Sequence, residues 1–406
     1  MSFKLFTISS MYPGYIKSFY NRFSEINSMS YDDHYNILLE DTTEFVGSYT
    51  RTFIKLGIDA KCAIANDYKL QLKWKKENCN QDVSFRKVLF EQVIKFNPEI
   101  LSIENISYTD IEWLKNIRTS VKSIRLVMAF YCSPLNPKII ERLKIVDFVI
   151  TCTPGLKCEM EKNGIKSYLV YHGFDKELLK RINEKDINHQ SNFTFSGSLS
   201  AGTGFHGERL DLIEKILKYN IDISLYVNLE MQLKIRTKQA LYFIIKLLKK
   251  MKIARLLNHI HLLRYGETKI INYSNLLLKR SQKPVFGLEM YNLFKNSKIV
   301  LNFHGDVAGN SAGNMRLFEV TGIGSCLLTD NKQNLSDLFE IGKEIVVFDN
   351  TEDCITKAKW LIEHDEERKR IALAGQKKTL KYHSVDDRCN SIIKIINNEI
   401  SKKKYI

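Results

Sequence analysis

No apolar run in this chain reaches the roughly 18 residues that a membrane-crossing helix needs, so the sequence offers no candidate span. Residues 1–10 lack a secretory cleavage region and read as a first strand, which sets the expectation of a cytoplasmic protein. None of the eight cysteines forms a CxxC pair, and the nine histidines include no HExxH. Cys62, Cys79, Cys132, Cys152, Cys158, Cys326, Cys354 and Cys389 therefore read as reduced thiols, neither disulfides nor zinc ligands, and no metal is expected. His259 and His261 form an HxH with only Glu267 near in sequence, and read as solvated or core histidines. Acid is scarce over residues 231–283, where thirteen Lys or Arg face the single acid Glu267. That insert carries most of the formal charge of +15. Neither an RNP-type aromatic motif nor zinc spacing accompanies the charge, which argues against nucleic acid as the partner.

What is present is an alternation of strands and helices. With 406 residues, 44% hydrophobic and 26% charged, the chain has globular composition and enough length for two or three domains. Strand patterns fall at 3–9, 59–65, 99–104, 124–130, 147–152 and 167–172, with helical patterns between them, including one at 31–55. A polar stretch at 183–192 interrupts the rhythm. A second series follows, with strands at 193–198, 221–227, 298–304, 325–330 and 344–349. Strands alternating with helices imply parallel sheets. The expected fold is α/β, with two Rossmann-like doubly wound domains at 1–182 and 193–384 facing across a cleft, and a terminal helix within 385–406. Within the insert, Leu241, Ile244, Ile245, Leu247, Leu248 and Met251 share one side at helical spacing, and Tyr242, Lys246, Lys249 and Lys250 the other. Such a helix suits either an anionic membrane surface, on the inner face of the membrane, or packing on its own domain with a solvated basic face.

The segment 298–330 carries the functional signal. An apolar strand runs into a loop of small residues, then a short helix opening at Asn314 and Met315. Arg316 lies in the first turn, where the helix dipole disfavours a cation unless an anion is shared there. Glu319, three residues on, shares that face and is placed to accept both hydroxyls of a ribose. Ser311, Gly313, Asn314, Arg316 and Glu319 are the expected nucleotide contacts. A second Gly-rich strand end, Gly197 and Ser198 followed by Arg209 and His206, is a further phosphate candidate. The competing expectation is an ordinary strand–loop–helix in which Arg316 and Glu319 pair with each other.

These residues resemble a known family. In KPVFGLEMYNLFKNSKIVLNFH, AGNMRLFEVTGIGSCLLTD, LSDLFEIGKEIVVF and ERKRIALAGQKKTLKYHSVDDR, residues 283–388 are similar to the C-terminal half of CgeB-like (spore-maturation-type) glycosyltransferases of the GT-B fold. The first half is similar in SYDDHYNILLEDT, FIKLGIDAKCAIAND and YLVYHGFD. The resemblance implies a nucleotide-sugar donor on the second domain and an acceptor on the first, either a surface glycan, a lipid-linked precursor or a protein. It also implies Glu319 on the donor ribose and a final helix crossing back to the first domain. Related retaining enzymes carry a second glutamate eight residues before this one; here Ser311 stands there, so the sugar contact and the stereochemical outcome stay open. A departing nucleoside diphosphate can be stabilised by helix amides and a guanidinium, so neither metal nor cofactor is expected. Glu319, Arg316, His304 and His172 are the residues expected to carry the chemistry, with Glu104, Asp33 and His34 as further candidates for a base. The rival readings are a nucleotide-sugar epimerase on the same fold and a non-catalytic basic nucleic-acid-binding protein.

Overall fold

The structure is a computed structural model that describes residues 2–43, 45–79, 82–182, 191–200, 207–219, 221–251, 270, 272–304 and 309–403, the side chain of Lys249 excepted. Its first sheet is built from β1 (Lys4–Ser9), β2 (Asp59–Ile64), β3 (Ile100–Ile103), β4 (Leu126–Phe130), β5 (Phe148–Thr151) and β6 (Ser167–Leu169). All pairs are parallel, in the order β2-β1-β3-β4-β5-β6. The second sheet comprises β7 (Ser191–Leu199), β8 (Ser224–Leu229), β9 (Ser281–Gln282), β10 (Ser297–Asn302), β11 (Cys326–Asp330) and β12 (Val346–Phe348). It is also parallel, in the order β12-β11-β10-β7-β8-β9. Helices on both faces keep the central strands out of water. That is why Leu126–Phe130 is apolar throughout and wholly buried instead of alternating.

Strand order reverses beside β1 in the first sheet and beside β7 in the second. In such sheets the carboxyl ends of the strands at the reversal open a ligand crevice. The chain reaches those ends through short loops whose side chains cap the next helix. Asp110 accepts from the Trp113 amide at 2.8 Å and Thr153 from the Leu156 amide at 3.3 Å. Gly57 and Gly164 stop their helices with φ of 81° and 73°, a conformation that suits glycine.

The pattern read as one helix over 31–55 is two helices, Tyr31–Asp41 and Thr50–Lys55, joined through a π turn at Phe45–Tyr49. Here the backbone folds back on itself: a Cβ on Gly47 would lie 2.0 Å from the Thr42 carbonyl oxygen. The helix Tyr68–Asn78 has no clear apolar stripe to announce it, because its buried residues are only Leu70, Gln71 and Trp74.

The terminal helix Val385–Lys403 packs on the first sheet. Val385, Cys389, Ile392, Ile396 and Ile400 are buried in one cluster with Leu5, Ile100, Leu126, Met128 and Phe148. Full burial of each large side chain is worth roughly 1.5–3 kcal/mol. Glu399 fastens the far end, accepting from the Tyr168 hydroxyl at 2.7 Å and pairing with Lys166. The two crossings between the domains lie side by side. The Phe174 amide donates to the His383 carbonyl at 2.8 Å, and the Val385 amide to the Phe174 carbonyl at 3.0 Å.

The basic helix spans Gln232–Lys250, starting well before the stripe read from the sequence. Of that stripe only Ile245 is buried, while Ile244, Leu247 and Met251 are exposed, as are Leu233 and Phe243. Residues 252–269, with His259, His261 and Glu267, lie outside the described residues. Among those described, no helix is long and apolar enough to cross a membrane.

Candidate active site

The helix Met315–Ile323 starts where β10 and β7 end, at the reversal of the second sheet. Asn314 takes the N-cap position but does not use its side chain as a cap. Its amide instead donates to Asn302 Oδ1 at 2.7 Å, and Asn302 in turn donates to Thr329 Oγ1 at 3.0 Å. The side chain that ordinarily satisfies first-turn amides is thus held aside, leaving those donors for another acceptor.

Arg316 and Glu319 are paired, with Nη1 donating to Oε2 at 2.7 Å. The guanidinium also lies over the Phe294 ring, 4.4 Å from its centre, and donates to the Ser196 carbonyl at 3.2 Å. Pairing, the ordinary expectation for these two residues, is therefore present. Among the described residues, Glu319 Oε1 has one long contact besides, from the Tyr291 hydroxyl at 3.4 Å. Glu319 is 5% exposed and lines an interdomain crevice with Tyr291, Met315, Phe45, Ser48, Tyr49, His172, Gly173, Asp175 and Val385. The crevice holds about 10 Å³, room for a single water at most.

Arg209 lies beside the ends of β7 and β10, donating from Nε to the Phe303 carbonyl at 2.8 Å, with Nη1 3.9 Å from a Cβ position on Gly197. Two guanidiniums thus flank the strand ends Ser196–Ser198 and Asn302–His304. His206 and residues 305–308 lie outside the described residues. His304 is buried and oriented by Asp330, Nδ1 donating to Oδ1 at 2.7 Å. Burial works against the Asp330 charge, but His304 and then Lys332 outweigh it and hold the carboxyl below its usual range. His304 Nε2 has no hydrogen-bond partner among the described residues.

Gly313 and Ser311 face the first domain. A Cβ on Gly313 would lie 2.1 Å from the Cys152 carbonyl oxygen, so only glycine fits that approach. The Ser311 hydroxyl accepts from the Gly155 amide at 3.1 Å, in the first turn of the helix Pro154–Lys162. The position where related retaining enzymes carry a glutamate is used here for a contact between domains. Phe286 also meets the first domain, lying 6.4 Å ring to ring from Tyr12 and against Gly14.

On the first domain, Glu104 follows β3 at the reversal and accepts from Ser9 Oγ at 2.7 Å. Burial raises its carboxyl above the usual range. Ser30 caps the helix that begins at Tyr31, accepting from the Asp33 amide at 3.1 Å, and His34 is buried against Phe19 and Tyr20; neither Asp33 nor His34 lines the crevice. The sequence reading did not anticipate Cys132 and Cys152 beside His172. Burial favours neutral thiols, but the hydrogen bonds with Cys152 and then His172 outweigh it at Cys132 and draw that thiol below its usual range. No local spacing signals this grouping, since its members are distant in sequence.

Residues 238–394 match a family described as glycosyl transferase-like. No curated protein matches the chain. Among solved structures, HepE of Anabaena in complex with UDP-glucose aligns over 98% of this chain and 100% of its own, at 11% identity and a TM-score of 0.57. An alpha-glucosyltransferase in complex with UDP-glucose and DNA containing an abasic site aligns over 98% and 100%, at 13% identity and a TM-score of 0.56. The sucrose-phosphate synthase of Thermosynechococcus elongatus aligns over 98% and 99%, at 8% identity and a TM-score of 0.55. At such identities the likeness establishes the fold, two Rossmann-like domains in the GT-B arrangement. On that frame the matched segment makes up most of the second domain, which is therefore similar to glycosyl transferase-like domains.

Proposed function

We propose that the chain transfers a sugar from a nucleoside-diphosphate donor, held by the second domain, to an acceptor hydroxyl presented by the first. The CgeB-like resemblance belongs to this reading. The observation that carries it is the opening turn of the helix Met315–Ile323. Its cap side chain is drawn away, a guanidinium stands beside the free amides, and a buried carboxylate keeps one oxygen toward the crevice. The diphosphate would lie on the amides with Arg316 and Arg209, and the ribose on Glu319. Charge developing on the leaving group is then met by fixed donors, without a metal at the diphosphate. His304, oriented by Asp330, is assigned to the transferred sugar through Nε2. The crevice is too small for a nucleotide, so binding requires its walls to part.

For the acceptor, a hollow of about 340 Å³ on the first domain is walled by Tyr68, Phe85 and Tyr108, with Arg86 and Arg142 among its polar groups. Aromatic walls with few polar groups suit a sugar ring. We assign the acceptor to a surface glycan, a lipid-linked precursor or a protein, reached from the cytoplasmic face of a membrane through the basic helix.

A thermal-shift series of nucleotides and nucleotide sugars tests the donor site, beginning with UDP-glucose because two of the structural neighbours bind it. Glu319→Ala should lower donor affinity or turnover at least tenfold, since a charge-assisted hydrogen bond is worth roughly 1.5–3 kcal/mol. Glu319→Gln, which keeps the shape, should show most of that loss. Unchanged kinetics in both variants would remove the ribose assignment.

A further inference from the structure

The parallel strands β4, β5 and β6 are neighbours, with Phe130 opposite Ile150 and Thr151 opposite Leu169. Just past their carboxyl ends the chain places Cys132, Cys152 and His172. Their two sulfurs and an imidazole nitrogen all lie within 4.8 Å of one another. Among the described residues, no other three His, Cys, Asp or Glu side chains converge in this way. Cys152 is buried, while Cys132 and His172 are half-buried, and His172 lines the interdomain crevice. An ion therefore has both a dry corner and a way in.

We propose that Cys132, Cys152 and His172 form a three-ligand site for a thiophilic divalent cation of the zinc class, with the fourth position left to water on the crevice side. Two thiolates and an imidazole are a soft donor set that favours zinc over magnesium, calcium or manganese. Tetrahedral zinc, with sulfur at about 2.3 Å and nitrogen at about 2.0 Å, spaces its ligand atoms roughly 3–4 Å apart. The observed spacing, within 4.8 Å, is only slightly wider. Glu104, at the end of the adjacent strand β3, adds a carboxylate to the same rim. The site is separate from the donor diphosphate, whose hard oxygens the amides and guanidiniums serve. Its ligands instead include Cys152, whose carbonyl Gly313 abuts, so the ion would brace the wall against which the donor loop rests.

The reduced full-length chain, stripped with a chelator, is titrated with Co²⁺ and then Zn²⁺ while the visible and near-ultraviolet spectrum is followed. The expected result is one equivalent of Co²⁺ bound with a sulfur-to-cobalt charge-transfer band and a tetrahedral d–d pattern, both erased by Zn²⁺. Cys132→Ser, Cys152→Ser and His172→Ala should each weaken Zn²⁺ binding by roughly a hundredfold or more, because loss of even a supporting contact costs 10–100-fold. Cys158→Ser, at an exposed cysteine, should leave it unchanged. The spectrum of the unaltered chain needs no variant to fold. No bound cobalt, a cobalt spectrum without the sulfur band, binding that survives the double serine variant, or a Cys132–Cys152 disulfide formed in the presence of Zn²⁺ would each overturn the site. None of these outcomes bears on Glu319, so this inference and the donor assignment fail separately.

Discussion

His383 is held neutral by its neighbours. Arg388 donates to its Nδ1 at 2.7 Å, which leaves Nε2–H to donate to the Leu338 carbonyl at 3.1 Å. Burial first, and the Arg388 charge second, push its pKa down from 6.5 to about 4. His34 is lowered to about 4 by burial and then by Lys73 and Lys69. Both values are depressed on folding, so between about pH 4 and 6.5 the unfolded chain binds more protons than the native one. Stability from these two residues is complete above pH 6.5 and is lost as pH falls toward 4. At most it amounts to roughly 3 kcal/mol each. Urea midpoints measured at pH 7.5 and pH 5 should show the fall, and His383→Gln should make it shallower. Equal midpoints would show that neither histidine is protected from protonation.

Among the elements, the terminal helix has the clearest energetic role. Its isoleucines recur at helical spacing, at 392, 396 and 400, and are buried on the first sheet although the preceding helices belong to the second. Ile396→Ala should cost about 2–5 kcal/mol in denaturant melts, as expected for a fully buried side chain. A cost within a few tenths of a kcal/mol would mean that the helix contributes little to the first domain. The strands were legible because buried parallel strands are apolar runs, and Arg316 with Glu319 because i, i+3 spacing fixes a shared helix face. Other features were hidden for physical reasons. The break after Asp41 depends on the backbone contact between Gly47 and Thr42, which periodicity cannot register. Cys132, Cys152 and His172 meet only because three strands lie side by side. The Arg316–Glu319 pairing was one of two expectations that the same spacing supports equally well.

At the scale of the whole molecule, the unevenly placed charge lends itself to test. Exposed Leu233, Phe243, Ile244 and Leu247 share the basic helix with exposed Lys234 and Lys250, the combination a membrane-surface helix uses. Basic residues near anionic lipid contribute roughly 1 kcal/mol each. Reversing Lys246, Lys249 and Lys250 to glutamate should therefore reduce flotation with phosphatidylserine vesicles by about a hundredfold in partition coefficient. Identical flotation of the two proteins would dispose of the membrane role.

The paired crossings at Phe174 and Ser384 would let the protein open like a book on a single spine. Two strands of chain laced by mutual amide bonds resist sliding and shear, so the covers have one easy swing. His172, Gly173, Asp175 and Val385 belong to the binding edge itself, where a given angle separates the pages least. The fore-edge, the side away from that spine, gains far more from the same angle. A bulky guest must therefore come in from the fore-edge and work toward the spine, and only its slimmest part can settle in the gutter beside Glu319.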